Sequence, residues 1–175
     1  MSKLFGALIL LFSTSSFASS FVCVGGNLHF PNGDSKYVGK SECESATISG
    51  RYACVGGTLH FPNGDSKYVG TSECKAARLA NGYACVGGTL HLPNGDSKYV
   101  GAAECASATI AGKYACVGGT LHFPNGDSSY VGASECKTAR LAGGYACVGG
   151  TLHLPNRDSK YVGKSECESA SFGKR

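Results

Sequence analysis

The sequence of 175 residues lacks several features that mark common protein classes. It has no Trp, one Met and only 16% charged residues, with a formal net charge of +4. Lys and Arg are scattered rather than clustered, so we expect no nucleic-acid-binding surface. The longest apolar stretch is shorter than the roughly 18 residues that cross a bilayer, so we expect no transmembrane segment. An apolar content of 42% nevertheless predicts a chain that folds.

Residues 1–18 have the organisation of a secretory signal peptide. Lys3 supplies a positive start, Leu4 to Phe12 form an apolar core, and Ser16-Phe17-Ala18 places small residues where signal peptidase cleaves. The alternative is a buried first helix, but the Ser-rich segment that follows lies outside the repeat pattern described below. We therefore expect cleavage after Ala18 and export to the periplasm, the cell surface or the extracellular space.

Ten Cys recur with separations that alternate between 20 and 11 residues. The period of 31 residues also includes the segment Cys-Val-Gly-Gly-x-Leu-His-x-Pro-Asn, so the chain after the signal peptide consists of five repeats. We place the repeats at residues 19–52, 53–83, 84–114, 115–145 and 146–175.

An even number of Cys, strict spacing and an export signal together indicate disulfides in an oxidising compartment. Thiolate metal sites usually have Cys two to four residues apart, and no such pair occurs, so we expect neither a metal nor another cofactor. Two connectivities remain open. One joins neighbouring repeats, as in Cys43–Cys54, and the other, favoured by the strand register below, closes each repeat as Cys23–Cys43, Cys54–Cys74, Cys85–Cys105, Cys116–Cys136 and Cys147–Cys167.

The sequence of each repeat predicts a β-hairpin, and the second repeat is described as the example. Phe61-Pro62-Asn63-Gly64-Asp65 is typical of a three-residue loop made of a type I turn and a glycine bulge. This loop pairs Leu59 with Lys67 and Thr58 with Tyr68. The register brings the two Cys of the repeat close together.

The sequence also predicts which side chains share a face of the strand before the tip, and it predicts a short helix after the hairpin. A continuous strand from Ala53 to His60 would put Val55 and Leu59 on one face, with Gly56-Gly57 forming either a bulge or a close backbone approach between repeats. A helix of two to three turns would follow between Thr71 and Gly82.

The fold class is therefore α+β, with five tandem hairpin and short-helix repeats held by disulfides. One repeat buries too little apolar surface to fold alone, so we expect the repeats to pack on one another. The terminal repeats lack distinctive caps, which leaves two architectures: a closed ring with pseudo-five-fold symmetry or a short open array. Arg157 replaces a turn glycine present in the other four repeats, so we expect strain there.

A polar and aromatic strand face recurs in every repeat and provides the candidate binding site. Its Thr, His and Tyr side chains offer stacking and hydrogen-bonding groups at regular spacing, so several weak sites could bind a glycan or another cell-surface ligand together. The candidate residues are His29, Tyr37, Thr58, His60, Tyr68, Thr89, His91, Tyr99, Thr120, His122, Tyr130, Thr151, His153 and Tyr161.

Other functions fit these residues less well. The main alternative is a structural or self-assembling envelope protein, in which regular repeats provide durability. Convergent His in a ring could bind a metal, Thr rows could bind ice, and the Pro-containing tips could inhibit proteases. His60, Asp65 and Ser66 resemble a catalytic triad in composition, but no nucleophile elbow is present and five equal sites are unusual in enzymes. We therefore expect no enzymatic activity.

Overall fold

The computed structural model describes residues 20–172, in which each repeat forms an antiparallel sheet followed by one short helix. The predicted signal peptide lies outside the described residues and stays a prediction. None of the helices in residues 20–172 has the length and apolar character needed to span a membrane.

The elements repeat in order along the chain. The first sheet contains β1 (Val22–Val24), β2 (Asn27–His29) and β3 (Ser35–Tyr37), followed by α1 (Lys40–Glu44). The second contains β4 (Thr47–Ser49), β5 (Tyr52–Val55), β6 (Thr58–His60) and β7 (Ser66–Tyr68), followed by α2 (Thr71–Lys75). The third contains β8 (Arg78–Ala80), β9 (Tyr83–Val86), β10 (Thr89–His91) and β11 (Ser97–Tyr99), followed by α3 (Ala102–Ala106). The fourth contains β12 (Thr109–Ala111), β13 (Tyr114–Val117), β14 (Thr120–His122) and β15 (Ser128–Tyr130), followed by α4 (Ala133–Thr138). The fifth contains β16 (Arg140–Ala142), β17 (Tyr145–Val148), β18 (Thr151–His153) and β19 (Ser159–Tyr161), followed by α5 (Lys164–Glu168).

The hairpin tip and the disulfides are as predicted. The Phe61 amide donates to the Asp65 carbonyl at 2.9 Å, and Leu59 is the cross-strand partner of Lys67. All five disulfides join Cys separated by 20 residues, so the alternative across the 11-residue gap is excluded. Each bond ties the strand before the Gly-Gly turn to the helix, as Cys54–Cys74 does.

The Gly-Gly pair forms a turn rather than a bulge, so the predicted continuous strand is two strands. Gly56 and Gly57 connect β5 to β6 with φ of 55° and 82°. Two successive residues with positive φ form a type I′ hairpin turn, for which Gly-Gly is well suited. The turn changes the alternation, because Val55 is the direct partner of Thr58 and therefore shares its face instead of that of Leu59.

The predicted helix is also shorter, because its second half forms a strand. Helix α2 ends at Lys75, and Arg78–Ala80 forms β8, which pairs with β9 of the next repeat. Asn81 and Gly82, with φ of 49° and 87°, form the turn between these strands. Each four-stranded sheet therefore takes its first strand from residues that we assigned to the preceding repeat.

The sheets stack as an open array, which is one of the two predicted architectures. Four buried clusters join each repeat to the next, and none joins the first repeat to the fifth within residues 20–172. In one cluster Tyr52, Cys54 and Leu59 pack against Ala84 and Val86 of the following sheet. Each inner sheet is thus covered on both faces, so hydrophobic contacts between repeats complete the core that one repeat lacks.

Arg157 has a φ of 76°, which confirms the predicted strain at the fifth tip. We expect Arg157→Gly to raise the free energy of unfolding by about 1 kcal/mol, because glycine adopts a positive φ without steric cost. Gly95→Arg is the matched reverse variant, since a Cβ at Gly95 would meet no atom within 4 Å and only the backbone conformation changes. Urea denaturation should show opposite shifts for the two variants, and shifts of the same sign would contradict this explanation.

Candidate functional site

Five Tyr side chains project from the array into solvent, one from the last strand of each sheet. Their exposed fractions lie between 73% and 84%. We call this set the Tyr ridge, and it consists of Tyr37, Tyr68, Tyr99, Tyr130 and Tyr161. A repeated, exposed aromatic group is unusual because burial of such a ring stabilises a folded protein.

The Gly-Gly turn positions each ring of the Tyr ridge. Tyr68 is the cross-strand partner of Thr58, and its ring lies beside Gly57. A Cβ on Gly57 would be 3.1 Å from the ring atom Cε2 and 3.0 Å from the Thr71 amide nitrogen. Glycine is therefore required here for close approach as well as for its positive φ. One edge of the ring rests on the turn while most of its surface faces solvent.

A shallow notch lies next to the Tyr ridge. Between the second and third sheets it is lined by Lys67 and Tyr68 on one side and by Thr89 and His91 on the other. Lys67 and Tyr68 are consecutive residues of β7, so their side chains point to opposite faces of the second sheet. Lys67 shares the face of its partner Leu59, which packs on the third sheet, so Lys67 is the side chain that points towards Thr89 and His91. A ligand in this notch would contact the Thr89 hydroxyl group and the Lys67 cation, and Tyr99, the cross-strand partner of Thr89, lies on the same face as Thr89.

The predicted His residues have a different environment from the Tyr ridge. His60 and His122 are each only 2% exposed, whereas His29 in the first sheet is exposed. The ring of His60 packs edge-on against Phe30 of the preceding repeat, with centroids 5.5 Å apart. The inner His side chains thus contribute to packing between sheets, and His60 and His122 are out of reach of a ligand on the surface.

Burial lowers the pKa of the inner His residues. Desolvation, supported by the positive charge of Lys98, lowers the pKa of His122 to about 4. Desolvation also lowers the pKa of His60, His91 and His153. Both ring nitrogens of His122 are buried without a hydrogen-bond partner among the described residues. These imidazoles are neutral at pH 7, because charging them would remove a cation from water.

A Glu in each helix supports the contact between repeats. Ser72 Oγ donates to Glu73 Oε2 at 2.8 Å, and this hydrogen bond, with one from the Glu73 backbone amide, lowers the pKa of the carboxyl group. The Glu73 carboxylate covers Gly70, and its Cγ would lie 3.5 Å from a Cβ on Gly87 of the next repeat. The repeated Glu is therefore a packing group between helix and turn.

The candidate residues do not assemble into a metal site. Within residues 20–172 no three His, Cys, Asp or Glu side chains are grouped so that they could hold a metal ion. The His residues are distributed one to each sheet along an open array, so the convergence that a ring would produce does not occur.

The sequence analysis named Tyr68, Thr89 and His91, which line the notch, but it did not include Lys67, which also lines it, and it did not predict the burial of His60. Recognition of Gly-Gly as a hairpin turn would have corrected the strand faces, because it fixes the partner of Val55. Burial between sheets had no local signal, since it depends on the neighbouring repeat.

The chain was compared with protein-family models, with curated proteins and with solved structures, and none of the three comparisons gave a match. Its function is therefore inferred from its own residues. The five disulfides indicate an oxidising environment, and the architecture is that of a small disulfide-rich repeat protein.

Proposed function

We propose that this protein is an exported, non-enzymatic repeat protein that binds an extended polysaccharide along the Tyr ridge. The observation that supports this proposal is the presence of five Tyr side chains, each at least 73% exposed, at the same position of five stacked sheets. Catalysis needs one precise site, whereas weak binding of a polymer benefits from many equivalent ones.

The ridge has the chemistry and the rigidity that such binding requires. An aromatic ring can stack against the apolar face of a sugar, and stacked sheets are spaced by about 10 Å, so a polymer would meet rings at regular intervals. The disulfides and the buried sheet interfaces hold that spacing, so binding costs little ordering of the protein. Lys67, which points towards the face of the third sheet that carries Thr89 and Tyr99, favours a polymer that carries carboxylate groups.

The test is binding of the oxidised protein to two soluble polymers, a polyuronate and a neutral β-glucan, measured by isothermal titration calorimetry. One, three and then all five residues of the Tyr ridge are replaced by Thr, which preserves strand propensity. We expect each substitution to weaken binding to the polyuronate severalfold and the quintuple variant to lose it, because the contacts act together. Weaker binding to the neutral β-glucan than to the polyuronate would support the contribution of Lys67.

Substitution of the exposed Ser row by Ala is the matched control. These residues are two positions before each Tyr on the same strands, namely Ser35, Ser66, Ser97, Ser128 and Ser159. We expect this variant to bind as the unmodified protein does. The proposal is wrong if neither polymer binds, or if the quintuple Tyr variant binds as tightly as the Ser variant.

A second candidate is a purely structural role in the envelope, and the burial of both faces of every inner sheet favours it. Such a protein would need no ligand, and its exposed Tyr would be tolerated rather than used. Binding of whole cells or isolated envelope polysaccharide by the purified protein would favour the first candidate. Retention of the protein in the envelope by the quintuple Tyr variant, without polysaccharide binding, would favour the second.

A further inference from the structure

The two ends of the array present the two halves of the interface that joins its inner sheets. At each inner junction, the Tyr, Cys and Leu side of one sheet contacts the Ala, Val and His side of the next. The contact recurs between the first and second sheets, where Phe21 takes the place of the Tyr. The first and last sheets each have one such side without a neighbouring sheet among residues 20–172.

At the N-terminal end the uncovered side is apolar and solvent-exposed. Val24 is 59% exposed, although its counterparts Val55 and Val86 are each 2% exposed. Val22 is 52% exposed, and its counterpart Ala53 is fully buried. The first sheet therefore exposes the apolar side that every later sheet buries.

The C-terminal end exposes the complementary side. Tyr145 is 37% exposed, whereas Tyr83 and Tyr114 at the same repeat position are at most 4% exposed. Leu152 is partly exposed, although the corresponding Leu of the other four sheets is fully buried. Phe172 stacks on Tyr145 with ring centroids 5.7 Å apart and covers only part of this side.

We propose that the protein assembles head to tail, with the first sheet of a second copy stacked on the fifth sheet of the first copy. The contact continues the interface already present inside the chain, so its chemistry and geometry are those of the inner junctions. It is a heterologous contact, which extends into a filament because each added copy exposes the same free end. It would also extend the Tyr ridge from copy to copy, although it does not depend on the proposed polysaccharide binding.

Specific contacts follow from the inner junctions. The hydroxyl groups of Tyr83 and Tyr114 each donate at 3.0 Å to a carbonyl oxygen of the next sheet, that of Lys113 and that of Gly144. Tyr145 would therefore donate to the equivalent carbonyl of Ser20 in the second copy. Val24 would occupy the place that Val148 takes in the fourth junction.

Ser171 and Phe172 would also supply a strand to the first sheet of the second copy. The first sheet has three strands in the described residues, and the later sheets have four. Phe172 stands 31 residues after Leu141, at the position whose partner in the fifth sheet is Ala146. Ser171 and Phe172 would therefore pair with Cys23 and Val22 of the second copy and add the fourth strand. Phe172 and Val22 are larger than the inner pair, so the junction between copies should be weaker than the inner junctions.

The test is sedimentation velocity of the oxidised, exported protein over a range of concentrations, using one variant for each end. We expect the average mass of the unmodified protein to rise with concentration. Val24→Asp blocks the first sheet and Tyr145→Asp blocks the fifth. Each variant alone should associate at least about a hundredfold more weakly, because a carboxylate would be buried without a partner. A mixture of the two should form a dimer and nothing larger, because one intact side of each kind remains.

Matched controls separate charge and folding from docking. Ser129→Asp adds the same charge at an exposed site on β15 and should assemble normally. Val22→Ala recreates the inner pairing and should assemble at least as strongly as the unmodified protein. The quintuple Tyr variant should also assemble, so failure of polysaccharide binding and failure of assembly are separate results. Mass analysis of the five disulfides and circular dichroism establish that each variant is folded.

Several results would overturn the proposal. These are a protein that stays monomeric up to about 1 mM, Asp variants that assemble as the Ser129→Asp control does, or a mixture that forms no dimer. If Val22→Ala weakened assembly by more than about tenfold, the proposed pairing of Phe172 with Val22 of the second copy would be wrong.

Discussion

Loss of the central disulfide should destabilise the whole array, whereas loss of the last one should loosen only its end. Cys85 and Cys105 are 0% and 2% exposed and join β9 to α3 in the third repeat, whose sheet is covered on both sides. Replacing both by Ala should cost about 3 kcal/mol, because the loop is no longer closed in the unfolded chain. In a stack where repeats contact only their neighbours, a weakened central repeat also uncouples the two halves.

The matched variant replaces Cys147 and Cys167, which close a loop of the same sequence separation in the fifth repeat. Hydrogen exchange followed by mass spectrometry should show faster exchange throughout the third repeat and its neighbours for the central variant, and only in the fifth repeat for the terminal one. Full reduction of the five bonds should unfold the protein, since strands of three or four residues cannot hold an isolated sheet together. A reduced chain that keeps cooperative unfolding would contradict the importance that we assign to these bonds.

Acidification from pH 7 towards pH 4 should lower the free energy of unfolding. The pKa of His122 is about 4 in the folded protein and about 6.5 when unfolded, so the unfolded chain binds more protons in this interval. The stability that this His provides is complete above pH 6.5 and is lost as the pH falls towards 4. The difference corresponds to about 3 kcal/mol for His122, and His60, His91 and His153 change in the same direction.

Urea denaturation at several pH values between 7.5 and 5 measures this slope while the carboxylates remain ionised. His122→Leu should reduce the slope and should not lower stability at pH 7.5, because it removes two buried ring nitrogens that have no hydrogen-bond partner in the described structure. His29→Leu, at an exposed position, is the matched control and should keep the slope. An unchanged slope in His122→Leu, or equal effects of the two variants, would show that burial of the imidazole is not the cause.

Local chemistry explains what could be predicted correctly. The tip from Phe61 to Asp65 depends on the conformations that Pro, Asn and Gly prefer, so its register followed from five consecutive residues. That register brought Cys54 and Cys74 together and therefore favoured the disulfides found in the structure. The predicted helix was too long after Lys75 because Ala and Leu favour a helix locally, whereas pairing of Arg78–Ala80 with β9 and contact with the next repeat make this segment a strand.

The sequence alone determined the period of 31 residues, the hairpin tips and the class of fold, because each of these depends on residues that are near in the chain or strictly repeated. Only the tertiary structure decided between the two possible Cys pairings, and only it decided that the array is open, that the inner His residues are buried and that the Tyr residues are exposed. His60 and Tyr68 lie on the same face of one sheet, yet His60 is in a central strand and Tyr68 is in an edge strand. The neighbouring sheet covers the centre and leaves the edge in water, and strand alternation within one repeat contains no information about that difference.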